Sequence, residues 1–341
     1  VSLLPRISLV NDIGGWVETV ALSNAEKSAA FANSPNHLYI SGGQTTSTVR
    51  FSPFSSDGTI GSWVSTAPLS VSRFGHALVF NGNYLYAIGG DGISPNTDYA
   101  QISPTGSIAA WSSTSAPSEF EIHHFGSIVW KGYVYTFGGT TTGSNETNNV
   151  SYAPFESDGS IGTWNFTTDL PSALTELVAV VYQNYVYVIA GSSGGVGTST
   201  VVFAPINSDG TIGSWTNTTA LPAARFGHGA AVLDGYVYVM GGQLVPFGST
   251  SSVLYAPINS TGSLGAWSAA TSLPAAITLT QTAINNGFIY SLPNNSQTST
   301  VVYTNINNGR SRRDIFWGLA VSFLPPGAYS GINTFTASFS P

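Results

Sequence analysis

The sequence predicts an all-β fold, a six-bladed β-propeller whose last blade is closed by the N-terminal strand, with extra β-segments at both termini. Three observations predict it. Tryptophans recur at Trp16, Trp63, Trp111, Trp164, Trp215 and Trp267, spaced 47 to 53 residues apart. Glycine pairs recur at Gly42-Gly43, Gly89-Gly90, Gly138-Gly139 and Gly241-Gly242, with Ala190-Gly191 in the fourth slot and Leu292-Pro293 in the sixth. An alternating aromatic run precedes each pair, as in Tyr84-Leu85-Tyr86-Ala87-Ile88 and Tyr236-Val237-Tyr238-Val239-Met240. A fixed period near 50 residues signals a repeat architecture, in which one unit cannot bury both its faces alone.

Each unit holds four strand-like runs. In the fifth, residues 229–233 form the first run, and Asp234-Gly235 supplies a hairpin turn. Residues 236–240 form the second, 252–256 the third and 264–268 the fourth. Alternation of apolar and polar residues with period two, and no helical period, marks all of them as strands. Asn81-Gly82, Asp57-Gly58, Asp158-Gly159 and Asp209-Gly210 mark further turns. Four antiparallel strands per repeat define propeller blades. An aromatic precedes the tryptophan by 12 residues in five units: Phe51/Trp63, Tyr99/Trp111, Tyr152/Trp164, Phe203/Trp215 and Tyr255/Trp267.

With its glycine pairs after the second strand, its aromatic in the third and its tryptophan in the fourth, the chain resembles the kelch β-propeller family over residues 11–309. The gap of 12 is longer than the usual kelch gap, and segments such as Ser56-Asp57-Gly58-Thr59-Ile60-Gly61 fill it with a longer hairpin. The sixth unit has Tyr303, but Ile315 stands where the tryptophan belongs. Asn11-Asp12-Ile13-Gly14-Gly15-Trp16 reads like the segment before Trp215. The N-terminal strand near 13–19 is therefore expected to complete the last blade, which removes two free sheet edges.

Two pieces are left over: an N-terminal extension strand, residues 1–10, and a C-terminal β tail, residues 310–341. The tail carries no charge after Asp314 and holds Ile315, Phe316, Trp317, Leu319, Val321, Phe323, Phe335 and Phe339. Such a segment needs cover. Two readings stand: packing against its own propeller, or addition to a neighbouring subunit's sheet edge, with these eight residues joining the subunits. A strand donated head to tail does not close on itself and yields a filament.

Composition narrows the function. Of 341 residues only 7% are charged, against ~25% in an average domain, while 42% are hydrophobic. Nine Lys and Arg at a net charge of −7 cannot form a broad nucleic-acid surface. No cysteine is present, which removes disulfides, thiolate metal sites, cysteine nucleophiles and a galactose-oxidase-like Tyr–Cys cofactor together. The longest apolar run, residues 177–190, is cut by Gln183 and Asn184 and is too short to span a membrane. Few charges with abundant Ser, Thr, Asn and Gly point to an extracellular or cell-surface protein after removal of a leader; a first residue that is not Met fits either a removed leader or a fragment.

No catalytic, cofactor-binding or metal-binding residue is assigned, and no cofactor is expected. Arg73-Phe74-Gly75-His76 recurs as Arg225-Phe226-Gly227-His228, and in shifted form as His123-His124-Phe125-Gly126. A motif repeated at one blade position reads as scaffold, with Arg and His tying neighbouring strands. Asp57, Asp158 and Asp209 share one turn position and read as turn chemistry. Sequons at Asn145, Asn149, Asn165, Asn217, Asn259 and Asn294 are candidate N-glycosylation sites.

The expected function is a non-enzymatic extracellular structural or assembly protein, a homo-oligomer joined through terminal strands into a filament. The alternatives are a kelch-type module that binds glycan or protein through its interblade loops, where Phe247 is the lone aromatic anchor, and a sialidase-like propeller hydrolase. A nucleic-acid partner is not expected.

Overall fold

The computed structural model describes residues 12–22, 28–44, 46–90, 97–117, 122–141, 144–293 and 300–307. The described residues are all-β, with no helix. The tail residues Ile315, Phe316, Trp317, Leu319, Val321, Phe323, Phe335 and Phe339 lie outside them, as do residues 1–10 and Asn294.

Small antiparallel sheets repeat along the chain. The sheet ending near Trp63 orders Ala30–Asn33, His37–Ser41, Val49–Pro53 and Val64–Thr66. The Trp111 sheet runs Ala77–Asn81, Tyr84–Ile88, Thr97–Gln101 and Ser112–Thr114. The Trp164 sheet runs Gly126–Trp130, Tyr133–Phe137, Val150–Pro154 and Asn165–Phe166. The Trp215 sheet runs Val178–Tyr182, Tyr185–Ser193, Val196–Pro205 and Thr216–Asn217. The Trp267 sheet runs Gly229–Leu233, Tyr236–Met240, Val253–Pro257 and Ser268–Ala270. Another sheet draws on both ends of the described chain. It pairs Thr280–Asn285, Phe288–Pro293 and Val302–Asn307, and two short N-terminal strands, Asp12–Ile13 and Val17–Glu18, lie against the last of these. Val17 faces Tyr303 and Glu18 faces Val302.

The inner strands touch in a circuit: Ala30–Asn33 against Ala77–Asn81, then Gly126–Trp130, Val178–Tyr182, Gly229–Leu233, Thr280–Asn285, and back to Ala30–Asn33. The arrangement is a propeller-like ring. Each core cluster lies between two neighbouring sheets. Tyr39, Val49 and Phe51 of one pack with Leu78, Leu85 and Ala100 of the next, and Leu38 and Ile40 pack with Tyr290 and Leu292 on the other side. At ~25 cal/mol per Å² of apolar area, this burial between units is the main favourable contribution.

The long hairpin between aromatic and tryptophan is a latch onto the preceding unit. Asp57 Oδ1 accepts from Thr59 N and Oγ1 at 3.0 and 2.7 Å, which shapes the turn. Asp158 and Asp209 do the same for Ser160 and Thr211, and these bonds hold all three carboxyls below the usual carboxylate range. The turn delivers an apolar residue inward, and its N–H donates to a threonine hydroxyl of the unit before: Ile60 to Thr19, Ile108 to Thr66, Ile161 to Thr114, Ile212 to Thr167 and Leu264 to Thr218. The Nε1 of each of the six repeat tryptophans then donates to the carbonyl four residues beyond the previous one in the series. The pairs are Trp63 to Val20, Trp111 to Ala67, Trp164 to Ser115, Trp215 to Thr168, Trp267 to Thr219 and Trp16 to Thr271.

The latch also explains where the predicted strands shift. In the Trp267 sheet the third and fourth strands sit at Val253–Pro257 and Ser268–Ala270 rather than 252–256 and 264–268, because Ile258 and Leu264 are engaged in the latch bridge. The predicted strand near 13–19 is likewise two short pieces broken at Gly14-Gly15.

The latch glycines have no room for a side chain. Gly58 has φ +91°, and a Cβ there would lie 2.6 Å from ring carbons of Phe288 and Tyr303. Gly82 also has positive φ, +61°, but open space around it. An alanine at Gly58 meets the clash as well as a φ beyond the left-handed helical region, whereas at Gly82 it meets neither. Gly58→Ala is expected to lose roughly 1–3 kcal/mol more than Gly82→Ala, the usual cost of overpacking. Urea denaturation midpoints of the two variants check this; equal midpoints would show that the latch turn does not seat on the neighbouring unit.

Candidate functional site at the channel mouth

The inner strands leave a central channel of about 390 Å³. Its walls carry Phe31, Leu78, Phe80, Ile128, Ala230 and Leu279, and its polar groups gather where those strands begin. One residue per unit stands there in the left-handed conformation: Ser28, Gly75, His124, Glu176, Gly227 and Leu279, with φ between 52° and 62°. Their backbones form a hydrogen-bonded belt. Gly75 N donates to Ser28 O, His124 N to Gly75 O, Glu176 N to His124 O, Gly227 N to Glu176 O and Thr280 N to Gly227 O, at 2.8 to 3.0 Å. A left-handed non-glycine residue costs about 1–2 kcal/mol, and the belt bonds offset that strain.

Glycine on the belt makes room for a neighbour's side chain. The His124 imidazole lies over Gly75, where a Cβ would sit 3.0 Å from Nε2. Leu279 and the Glu176 carboxyl lie beside Gly227, at 3.0 and 3.4 Å from the same notional atom. His123 and His124 share a hydrogen bond between their Nδ1 atoms at 2.8 Å. Glu176 is half-buried, and its Oε2 is enclosed without a hydrogen-bond partner. Burial raises the carboxyl pKa above its usual range.

The repeated Arg-Phe-Gly-His motif sits just behind the belt, and its two copies differ. Arg73 is fully buried. It donates to Asp98 Oδ2 at 3.0 Å and to the carbonyls of Ala87 and Gly89; Asp98 also accepts from Ser70. Arg225 occupies the same place, but Leu254 stands where the acid would be, and the guanidinium donates instead to Ser252 Oγ at 3.0 Å and to the Gly241 carbonyl at 3.1 Å. Burial lowers the pKa of both guanidiniums, that of Arg225 to about 10, while the Asp98 charge opposes the shift at Arg73. His76 Nε2 lies 2.8 Å from Ser41 Oγ. The residue corresponding to Ser41 in the repeat before His228 is Ile189, and both ring nitrogens of His228 are enclosed without a partner. The expected tie between strands therefore holds for Arg73, His76 and Arg225 but fails for His228.

The shifted copy is explained too. His124 falls at the belt position of Gly75 and Gly227, and Ile122 takes the place of Arg73: Gly43 N donates to Arg73 O, and Gly90 N to Ile122 O. Among the described residues no three of His, Asp and Glu gather as a metal site, and no helix is long and apolar enough to cross a membrane.

Hairpins rise around this mouth. Thr140–Thr141 pairs with Asn145–Glu146. The long hairpin of the Trp215 sheet turns at Gly194-Gly195, whose N–H groups donate to the Glu146 carboxylate. Gln243–Leu244 and Gly248–Ser249 pair, and Arg225–Phe226 links them to that long hairpin. Phe247 is 82% exposed at this crown, and Val196 is 61% exposed. The sequon residues Asn145, Asn165, Asn217 and Asn259 are exposed, and Asn149 is half-buried.

The chain matches no protein-family description and no curated protein. Among solved structures it is similar to that of YjhT, with a TM-score of 0.66 and 14% identity over 83% of this chain and 95% of that one. At that identity the likeness concerns the fold alone, and it agrees with the propeller-like ring.

The buried histidines make stability depend on pH. Burial, aided by the nearby guanidinium, pushes His76 and His228 down to about 3 from the ordinary histidine value of 6.5. Between those values the unfolded chain binds protons that the folded chain refuses, so stability falls as pH drops from about 6.5 toward 3. Removing both rings in His76→Gln/His228→Leu should flatten that slope by up to about 2.7 kcal/mol per pH unit, two protons' worth. Denaturation at pH 6.5, 5.5 and 4.5 measures it; an unchanged slope in the double variant would rule out these histidines as its source.

Proposed function

We propose that this chain is a six-bladed, kelch-like propeller, its last blade closed by the N-terminal strand, serving as a non-enzymatic structural or assembly protein at the cell surface. The ring count and closure are supported by the cyclic tryptophan latch, in which Trp16 bonds Thr271 as the other five repeat tryptophans bond the unit before them. The observation that carries the assembly reading is the pairing of Asp12 with Asn307 and of Ile13 with Ile306. The first and last described residues, Asp12 and Asn307, therefore lie side by side. Residues 1–10 and the uncharged stretch after Asp314 thereby connect to a single place on a rigid body. Strand donation from one corner to the next ring propagates without closing and builds a filament. Low surface charge reduces repulsion between closely packed copies.

Sedimentation and electron microscopy of the full chain and of a chain lacking residues 310–341 test this. The full chain should form polymers and the truncated one isolated rings. Isolated rings from both would end the assembly reading.

A second reading is favoured by the crown. A phenylalanine 82% exposed above a polar mouth is the kind of anchor that a protein or glycan partner covers. Phe247→Ala should then abolish retention of the partner while leaving thermal stability unchanged, since an exposed ring contributes little to folding.

A further inference from the structure

We propose that the outer rim on both sides of the Trp63 sheet, marked by Val17, Val20 and Val64, is the docking surface for residues 315–324 of a second copy of this chain. The proposal rests on the assembly reading above and names the surface that receives the donated segment.

The repeat itself singles out this part of the rim. At each junction between sheets two positions flank the edge: the residue after one tryptophan, and the residue four beyond it, whose carbonyl accepts the next indole N–H. At four junctions these are Ser112 with Ser115, Asn165 with Thr168, Thr216 with Thr219 and Ser268 with Thr271. At the two junctions beside the Trp63 sheet they are Val17 with Val20 and Val64 with Ala67. The three valines are 49%, 40% and 47% exposed. Val17 lies opposite Tyr303, which packs in the core between the chain-end sheet and the Trp63 sheet. Val64 lies opposite Phe51, in the core between the Trp63 and Trp111 sheets. Residues directly opposite share a face, so each valine overhangs the interface beside it. The latch does not require them, because it uses only the Val20 carbonyl, and serine or threonine supplies that carbonyl elsewhere. Apolar side chains at equivalent positions of two adjacent junctions, on a rim otherwise built of Ser, Thr and Asn, mark a contact surface rather than scattered exposure.

The backbone there is open to addition as well. Val17–Glu18 and Val64–Thr66 are outermost strands, and among the described residues no strand pairs with their outer sides. An edge strand offers main-chain groups to an added strand, and its side chains select the sequence. Charge and reach select the tail as that strand. Arg310, Arg312 and Arg313 precede the uncharged stretch. Exposed Glu18 stands between the valines, where the other five units have Ser65, Ser113, Phe166, Asn217 and Ala269. The acid at this position therefore occurs only in the chain-end sheet, beside the apolar pair. The described chain ends at Asn307 in that sheet, and residues 308–314 span at most about 25 Å when extended. Two rings meeting at their chain-end sheets bring the segment of one within reach of the rim of the other.

Sedimentation velocity of the full chain tests the surface, with substitutions taken from the other units: Val17→Ser, Val20→Thr and Val64→Ser together. The triple variant should need at least about tenfold more protein for half-assembly than the parent chain. Its circular dichroism should match the parent's. Should it unfold, Val17→Thr/Val64→Thr keeps the branched shape and serves in its place, with the same loss of assembly expected. A synthetic peptide of residues 310–324, added in excess, should dissolve assemblies of the parent chain, and the peptide carrying Phe316→Ser, Trp317→Ser and Phe323→Ser should not. Undiminished assembly of the folded variant, or assemblies that resist the parent peptide, overturns the rim surface and leaves the assembly reading standing. A parent chain that sediments as a single ring at every concentration overturns both.

Discussion

The structure depends on one constraint: a single four-stranded unit has two apolar faces and cannot cover both. Every core cluster is shared by neighbouring units, so burial and assembly of the ring are the same event. The latch gives that shared burial a direction and a register. An isoleucine or leucine from one unit enters the neighbour's core, its N–H meets a threonine hydroxyl, and a tryptophan Nε1 caps a carbonyl at the rim. Tyrosine hydroxyls answer from the other side, Tyr39 to Gly106 O, Tyr86 to Gly159 O, Tyr135 to Gly210 O, Tyr187 to Gly262 O and Tyr290 to Gly58 O. The tryptophan and tyrosine bonds both end on backbone carbonyls, so they survive drift in side chains elsewhere.

That robustness lets individual units diverge at the axis. Arg73 with Asp98 and Arg225 with Ser252 hold one place in two units, yet one guanidinium has a carboxylate and the other does not. A buried charge whose partner is lost ordinarily destabilises a fold strongly. Here the Gly241 carbonyl and the Ser252 hydroxyl hold the cation, and burial alone sets its lowered pKa. The same side of the ring carries the unpaired nitrogens of His228 and the enclosed oxygen of Glu176.

The sequence by itself determined the period, the strands and the turn chemistry. Tryptophan and glycine spacing, alternating aromatics and Asp-Gly turns are local signals, readable because strand alternation and turn geometry are set within a few residues. Trp16 could be matched to the tryptophan series for the same reason, since a repeat with a missing piece specifies what the piece must look like. The belt was decided only by tertiary structure. Ser28, Gly75, His124, Glu176, Gly227 and Leu279 span five residue types, and what unites them is a left-handed backbone where the inner strands begin. Glu176 was invisible for that reason, and the His123-His124 pair was legible only as a shifted copy of a scaffold motif. Whether a buried histidine finds a serine or an isoleucine opposite depends on the facing repeat, about 35 residues away along the chain in the case of Ser41 and His76. Local patterning carries no record of such a meeting, because the neighbour is chosen by closure of the ring.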